Sequence, residues 1–399
     1  MDKDRITGGL LYKNLQRDLQ SGSFIKRVRL KKKDIQTLVT DLQMQKLADE
    51  LAALLQGNPE AEETPIDCRQ VMEICRPYLM EAGRKLHPGF REPDGGWLDS
   101  IYRRLLLWMY PEQGSEMPGE DSVFPELLFC EILHAMLESD RQRRHQVIPD
   151  FDFQFLSEEE AGQYPAGKEY ARFMKFCREY YLYEFLVIVR AIQPFNTLGH
   201  IAGVHYVAMH MARQLRFNEV PVDLAMVSAA AAAHDIGKFG CREKEIPRIP
   251  HLHYYYIDEL LLRMNMPGIA HIASNHSTWD LELENLSCEN LLLIYADFRV
   301  KSTWENGHEE IRFYSLRQAF DVILGKLENV DQAKHDRYVR VYRKLRDFED
   351  YMVSLGVRTE LDEVQTERLL WQDASLLEAD EAVVRLKHLA IAQDRKSVV

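Results

Sequence analysis

Apolar residues recur at three- and four-residue steps along most of this chain, and that period leaves room for little except helices. Leu38, Leu42, Met44, Leu47, Leu51, Leu54 and Leu55 form one such series. Comparable patterns run from Val71 to Leu86, Trp97 to Met109, Phe124 to Leu137 and Phe173 to Ile192. Period-two alternation between tight turns, the mark of a strand, is nearly absent. Helix-ending residues stand between the periodic segments: Gly57-Asn-Pro59, His87-Pro-Gly89, Pro93-Asp-Gly-Gly96 and Pro111 to Ser122. The expectation is an all-α fold. With 399 residues the chain exceeds one ordinary domain, and the acidic, aromatic, Pro-containing stretch Val147 to Lys168 reads as a link between two helical regions.

Charge and cysteine usage narrow the partners. Fifty basic against sixty-three acidic residues leave a net charge of −13, so any anionic substrate needs a local positive site. The basic runs, Lys26-Arg27-x-Arg29-x-Lys31-Lys-Lys33 and Arg141-x-Arg143-Arg144, are read as solvated helix faces, and a nucleic-acid partner is not expected. Six cysteines with no Cys-x-x-Cys pair argue against a disulfide framework or zinc knuckle and for a reducing, cytoplasmic compartment. No apolar run approaches a membrane span, and the charged start Met1-Asp-Lys-Asp-Arg5 does not read as a secretory signal. Ala382 to Ala392 reads as an amphipathic helix without a cap. The following Asp394-Arg-Lys-Ser-Val-Val399 resembles a translated sequencing adaptor, so the natural chain is expected to extend past Gln393.

Histidine carries the chemistry. Eight of the fourteen histidines lie between His200 and His276: His200, His205, His210, His234, His251, His253, His271 and His276. Neutral imidazole is the commonest protein ligand for transition metals, and nearby Asp strengthens a metal reading. The centrepiece is the segment Ala229-Ala-Ala-Ala-Ala-His234-Asp235-Ile-Gly-Lys238. Five alanines make a thin helix that neighbours can approach closely, and Gly237 suits the position just past its end. Adjacent side chains on a helix point about 100° apart, so His234 and Asp235 can share a site only near a helix end or within an enclosing bundle. His205 and His210 follow His200 in steps of five, point elsewhere, and read as packing residues. His253 is preferred to His251 because Ile257, Leu260, Leu261 and Met264 continue an apolar face from it. His271 reads as structural and Trp279 as a core aromatic.

His200-x-x-x-Val204, His234-Asp235-Ile-Gly-Lys238 and Tyr295-Ala-Asp297, in that order, resemble the HD domain of metal-dependent phosphohydrolases. Small residues near the ligands match as well: Ala208 and Ala212 after the first His, Ala296 before the last Asp. Asp297-x-Arg299-Val-Lys301 with Ser315-Leu316 and Phe320 looks like the helical tail of several members. The resemblance, over Phe195 to Gly356, implies that His200, His234, Asp235 and Asp297 hold a first divalent metal and that Lys238 meets a substrate phosphate. His253 and His276 resemble the extra histidines of two-metal members. They imply either a second ion bridged by Asp235, or one ion with His276 as general acid or phosphate hydrogen-bonder. Asn275 stands where those members carry a further His, and Leu281 to Leu286 lacks the Gly-Tyr-Pro of the cyclic di-GMP-specific subgroup, so that substrate is not expected.

The implied organisation is an N-terminal helical region of unread role over 1–190, an HD-type domain over 191–357, and a C-terminal helical segment over 358–399. The implied activity is hydrolysis of a phosphoester in a nucleotide-like small molecule by metal-activated water, with Asp235 and Lys238 catalytic. The ligand set suits Mn, Fe, Co, Ni, Zn or Mg alike. The alternative is a regulatory module that binds metal and nucleotide with little turnover. No phosphate-binding Gly-x-x-x-x-Gly-Lys loop, dinucleotide fingerprint, His-Glu-x-x-His or Gly-x-Ser-x-Gly elbow is present.

Overall fold

The structure is a computed structural model that describes residues 8–41, 44–56, 66–111, 123–144, 153–192, 198–282, 286–305, 308–326 and 331–361. These residues form an all-α fold with a single short hairpin. In chain order the first seven helices are α1 (Gly8–Leu19), α2 (Gly22–Val28), α3 (Lys32–Asp41), α4 (Met44–Gln56), α5 (Cys68–Leu86), α6 (Trp97–Met109) and α7 (Val123–Arg144). Then come α8 (Glu158–Ala161), α9 (Gly167–Glu179), α10 (Leu182–Ile192), α11 (Leu198–Phe217) and α12 (Leu224–Ala233). The rest are α13 (Ile249–Arg263), α14 (Pro267–Ser274), α15 (Cys288–Arg299), strands β1 (Val300–Glu305) and β2 (His308–Phe313), α16 (Leu316–Lys326) and α17 (Gln332–Ser354). No helix among the described residues is long and apolar enough to cross a membrane.

The chain divides into two compact units, Met1–Asp150 with Lys175–Leu198, and Phe151–Met174 with Gly199–Val399. Residues 153–168 of the segment read as a link belong to the second unit. There Phe153 and Phe155 flank the His205 ring, and the Tyr170 hydroxyl receives the Leu156 N–H. In the first unit, α7 carries the fully buried Glu126 and Glu131. Arg104 and Ser100 satisfy Glu126, Arg178 and Tyr181 satisfy Glu131, and His134 meets the buried Glu184 of α10. Each buried carboxylate is thus paired, as burial of charge requires.

Three segments differ from the periodic reading. The Leu38–Leu55 series is split between α3 and α4, and Phe173–Ile192 is split between α9 and α10. The second break sits at Tyr181, whose φ of 51° is left-handed. Its buried hydroxyl donates to Glu131 at 2.6 Å and its ring lies under Arg27, contacts that hold a conformation L residues disfavour. The tail after Asp297 is not continuously helical: α15 ends at Arg299 and the antiparallel β1–β2 hairpin precedes α16. Val300 and Ile311 lie over Gly203 of α11, where a Cβ would stand 2.9 Å and 3.1 Å from them, so the missing side chain lets the hairpin seat. The expected helix at 382–392 lies outside the described residues. Within 358–361, Arg358 N–H donates to Gln214 and the Thr359 carbonyl accepts from Arg299, which ties this stretch to the second unit.

Five helices of the second unit, α11 to α15, position its chemistry. Asp223 caps α12 by accepting the Met226 N–H, and Ala229 to Ala233 are all buried where α14 and α15 pack. Ser287 caps α15 in the same way. The cap of α14 comes from far away in sequence: the Glu169 carboxylate of α9 accepts the Gly268 and Ile269 N–H groups at 3.0 and 3.1 Å. A carboxylate at a helix N-terminus satisfies orphan donors and the helix dipole together.

Candidate metal centre

His200 comes from the first turn of α11, His234 and Asp235 from the C-terminal end of α12, His253 from α13, His276 from just past α14, and Asp297 from α15. The helix ends at the doublet as a 3-10 turn (Ile236–Gly240) begins, and this lets two adjacent side chains serve one place. The structure brings all six residues together. His200 Nε2 stands 3.0 Å from Asp297 Oδ1 and 3.5 Å from Asp235 Oδ2. His234 Nε2 stands 3.7 Å from Asp235 Oδ2. On the other carboxylate oxygen, His253 Nε2 lies 3.8 Å from Asp235 Oδ1 and 3.4 Å from His276 Nε2. Two sets of ligand atoms, His200–His234–Asp235 and Asp235–His253–His276, each fall within 4.8 Å and share Asp235.

Second partners fix which ring nitrogen faces inward. The Nδ1–H of His234 donates to Ala231 O (2.8 Å), that of His253 to Ile249 O (2.7 Å) and that of His276 to Ala273 O (2.6 Å). Each carbonyl lies three or four residues upstream, so ordinary helical geometry orients all three rings. With Nδ1 protonated, Nε2 carries the lone pair, the tautomer a metal ligand needs. His234 Nε2 is wholly buried and has no hydrogen-bond partner. A buried polar atom left in this way asks for a partner. Ligand atoms ~2.1 Å from a shared ion stand about 3.0–3.4 Å apart at octahedral or tetrahedral angles, close to the separations here. These residues therefore fit a divalent cation.

Burial keeps the rings neutral. It lowers His253 and His276 to about 4, reinforced at His276 by the neighbouring His234, and it lowers His234 as well. Burial alone would raise Asp235, but Lys238, His234, His200 and His253 outweigh it and hold the carboxyl well below its usual range. Asp297 is likewise held low, burial being overcome by the His200 hydrogen bond and by Lys301. Lys238 Nζ donates to Asp235 Oδ2. His234, Asp235, His253 and His276 are nearly closed to solvent, while the side chains of His200 (14% exposed), Lys238 (21%) and Asp297 (31%) mark the open side.

Gly237 has a sharper role than ending the helix. A Cβ there would stand 2.0 Å from the His253 carbonyl and 2.8 Å from the Ile257 nitrogen, so only glycine lets α13 lie this close to the doublet. The other histidines are elsewhere. His205 is buried between two Phe rings, accepts the Gln154 N–H and bonds Ser228; His210 is buried against Gln214. His251 is exposed. His271 lies on the surface, and Asn275 turns its amide onto the His271 carbonyl rather than towards the centre. Trp279 is not a core aromatic: 60% of it is exposed. The loop that carries it is held from outside, by Arg337 and Lys344 of α17, so its ring is not drawn into the core.

Tyr254 escaped the sequence reading. Its half-buried ring has its centroid 3.8 Å from that of His253 and 4.7 Å from that of His276. Burial, then Asp297, Asp235 and Asp280, push its pKa up, so the hydroxyl stays a donor. Position next to His253 within Tyr254-Tyr255-Tyr256 was the signal available. No family model, curated protein or solved structure matches this chain.

Proposed function

We propose that the second unit is a metal-dependent phosphohydrolase acting on a phosphoester of a nucleotide or nucleotide-like small molecule. The observation that carries this reading is the convergence of four inward-facing histidines and two carboxylates on one half-open centre, with Asp235 presenting one oxygen to each half. His200, His234, Asp235 and Asp297 would hold one divalent ion; His253, His276 and Asp235 would hold a second. When bound, such ions lower the pKa of a coordinated water from near 16 towards ~7 and so make hydroxide accessible at neutral pH.

The chain supplies the rest. Three carbonyl-bound Nδ1–H groups keep the imidazoles fixed and neutral, so the ligands need little reorganisation. Lys238 places an ammonium at the open side, where it can pass from Asp235 to a phosphoryl oxygen. The Tyr254 ring packs on the His253 and His276 rings, and burial keeps its hydroxyl protonated, a donor for a group bound nearby. Buried walls around His234 and His276 exclude bulk water from the inner half.

Elemental analysis of the purified chain, followed by a phosphate-release screen over nucleotides with and without added Mn, tests the reading. Asp235→Asn keeps the side chain's shape but removes a ligand charge, and should abolish metal-dependent release with the helical fold intact. Wild-type turnover in that variant would overturn the assignment. Bound nucleotide and metal without phosphate release in the wild type would favour a regulatory module.

A further inference from the structure

Six of the eight residues from Lys26 to Lys33 are basic and none is acidic, in a chain whose net charge is −13. In the first unit this run forms a corner: α2 ends at Val28, Arg29 takes a left-handed backbone (φ 55°, ψ 24°), and α3 starts at Lys32. One helical turn separates Lys26 from Arg29 and four residues carry the chain on to Lys33, so the basic Cα atoms gather within ~20 Å. The fold uses one of these cations: Arg27 donates to the Glu179 carbonyl and lies over the Tyr181 ring. Lys26, Arg29, Lys31, Lys32 and Lys33 are exposed, and none of the four lysines forms an ion pair with a described residue.

The two ends of the corner differ physically. Lys26 and Arg29 lie at the C-terminal end of α2, where a cation complements the helix dipole. Lys31, Lys32 and Lys33 lie at the N-terminal end of α3, where a cation opposes it, and the first turn holds only Asp34 to offset them. Three successive ammonium groups also repel one another. An anionic partner from outside the chain removes both penalties.

The remaining side chains select the kind of anion. From Gly22 to Lys33 there is no amide side chain, and the one aromatic ring, Phe24, is buried, so nothing here reads or stacks on a base. Ile25 and Leu30 are partly exposed between the cations. A phospholipid surface sets phosphate beside hydrocarbon, and cations interleaved with aliphatic side chains match both. We propose that the α2–α3 corner docks the chain on an anionic phospholipid surface. The acidic excess of the rest of the chain does not prevent this, because charges beyond ~8 Å are screened at physiological salt. A single basic cluster without a second membrane signal binds weakly and reversibly. The corner belongs to the first unit, and its role does not rest on the hydrolase reading.

The test floats the full chain with vesicles of phosphatidylcholine alone and of an equimolar mixture with phosphatidylserine, at low, physiological and high salt. The wild type should bind the mixed vesicles and not the neutral ones, less tightly as salt rises. Each cation near such a surface is worth about 5-fold in affinity, so the triple variant Lys31→Gln, Lys32→Gln, Lys33→Gln should bind about 100-fold more weakly. Arginine at the same three positions should keep the binding. Removing three exposed, ion-paired cations elsewhere, by Lys46→Gln, Lys175→Gln and Arg317→Gln, changes the net charge equally and should weaken binding far less. The Lys31–Lys33 glutamine variant should also melt no lower than the wild type, because it loses cations that oppose the α3 dipole; a lower melting temperature would make these lysines part of the fold and overturn the proposal. Equal binding of both vesicles by the wild type, or unchanged binding in the glutamine variant, overturns it as well. Salt-sensitive capture of duplex DNA or single-stranded RNA without binding to the mixed vesicles would reject the lipid surface in favour of nucleic acid.

Discussion

Replacing Gly237 with alanine adds one methyl group at the place where the doublet's turn meets α13. The new Cβ would stand 2.0 Å from the His253 carbonyl oxygen and 2.8 Å from the Ile257 nitrogen. Ordinary contact begins near 3.4 Å, so the two backbones must part by roughly 1.4 Å, and both colliding atoms are main chain that no rotamer change can move. Gly237 is not in the left-handed region, so the cost is steric and not conformational. Overpacking of this kind costs about 1–3 kcal/mol, against which the stiffer unfolded chain returns about 0.4–1. The net is a destabilisation of up to about 2.6 kcal/mol, or up to roughly 10 °C in Tm for a unit of this size. The functional effect should be larger than the stability effect. His253 moves with its own carbonyl, and its Nε2 already stands 3.8 Å from Asp235 Oδ1. A displacement near 1 Å in a reacting constellation costs about 100-fold. Thermal unfolding, metal content per chain and phosphate release measured on the same preparation would decide the matter: on the two-ion reading proposed above, bound Mn should fall from two to one while the fold survives. A Gly237→Ala chain with unchanged melting temperature and metal content would refute the close-approach argument.

Three further outcomes follow from the second unit. Glu169→Ala strips two N–H groups of α14 of their acceptor and should cost about 1–2 kcal/mol in urea unfolding, with Glu169→Gln recovering part of it; equal losses in both variants would deny the charge a role. Burial lowers His205 to about 3 and His210 to about 4, so below pH ~6.5 the unfolded chain takes up protons that the folded chain refuses. Stability should therefore be complete above that pH and fall towards pH 4, by up to about 1.4 kcal/mol per pH unit for each ring, and His205→Gln should remove one proton from the slope; an unchanged slope would contradict it. On the proposed hydrolase reading, linear nucleotides should be cleaved in preference to cyclic di-GMP, because Leu281 to Leu286 holds no Gly-Tyr-Pro; rapid selective cleavage of the cyclic dinucleotide would count against this.

Much of the architecture was legible from local pattern. The Val71–Leu86 and Trp97–Met109 periods became α5 and α6 almost residue for residue, because apolar spacing and helix-ending residues act between neighbours three and four apart. The same locality singled out His253 over His251, since the apolar face that continues from His253 is the buried one. It also placed His234 and Asp235 at a helix end, through the alanine run before them and the glycine after. The ring tautomers, too, were implicit: each Nδ1–H finds a carbonyl within its own helical turn.

Other features depend on residues remote in the chain, and only the tertiary structure decided them. Glu169 caps a helix that begins almost one hundred residues later, and no local rule pairs the two. Tyr181 breaks a continuous apolar run because Glu131 and Arg27, from two other helices, reward a left-handed backbone. The β1–β2 hairpin seats on α11 because Gly203 lacks a side chain. Trp279 has the composition of a core residue but is held outside by α17, and Gly237 is dictated by α13 rather than by its own φ. Which oxygen of Asp235 meets which histidine follows from the packing of α11, α12, α13 and α14 around it. Sequence patterns record the preferences of residues a few positions apart; the division of one carboxylate between two sets of imidazoles is set by how whole helices approach, and that is a property of the packed unit.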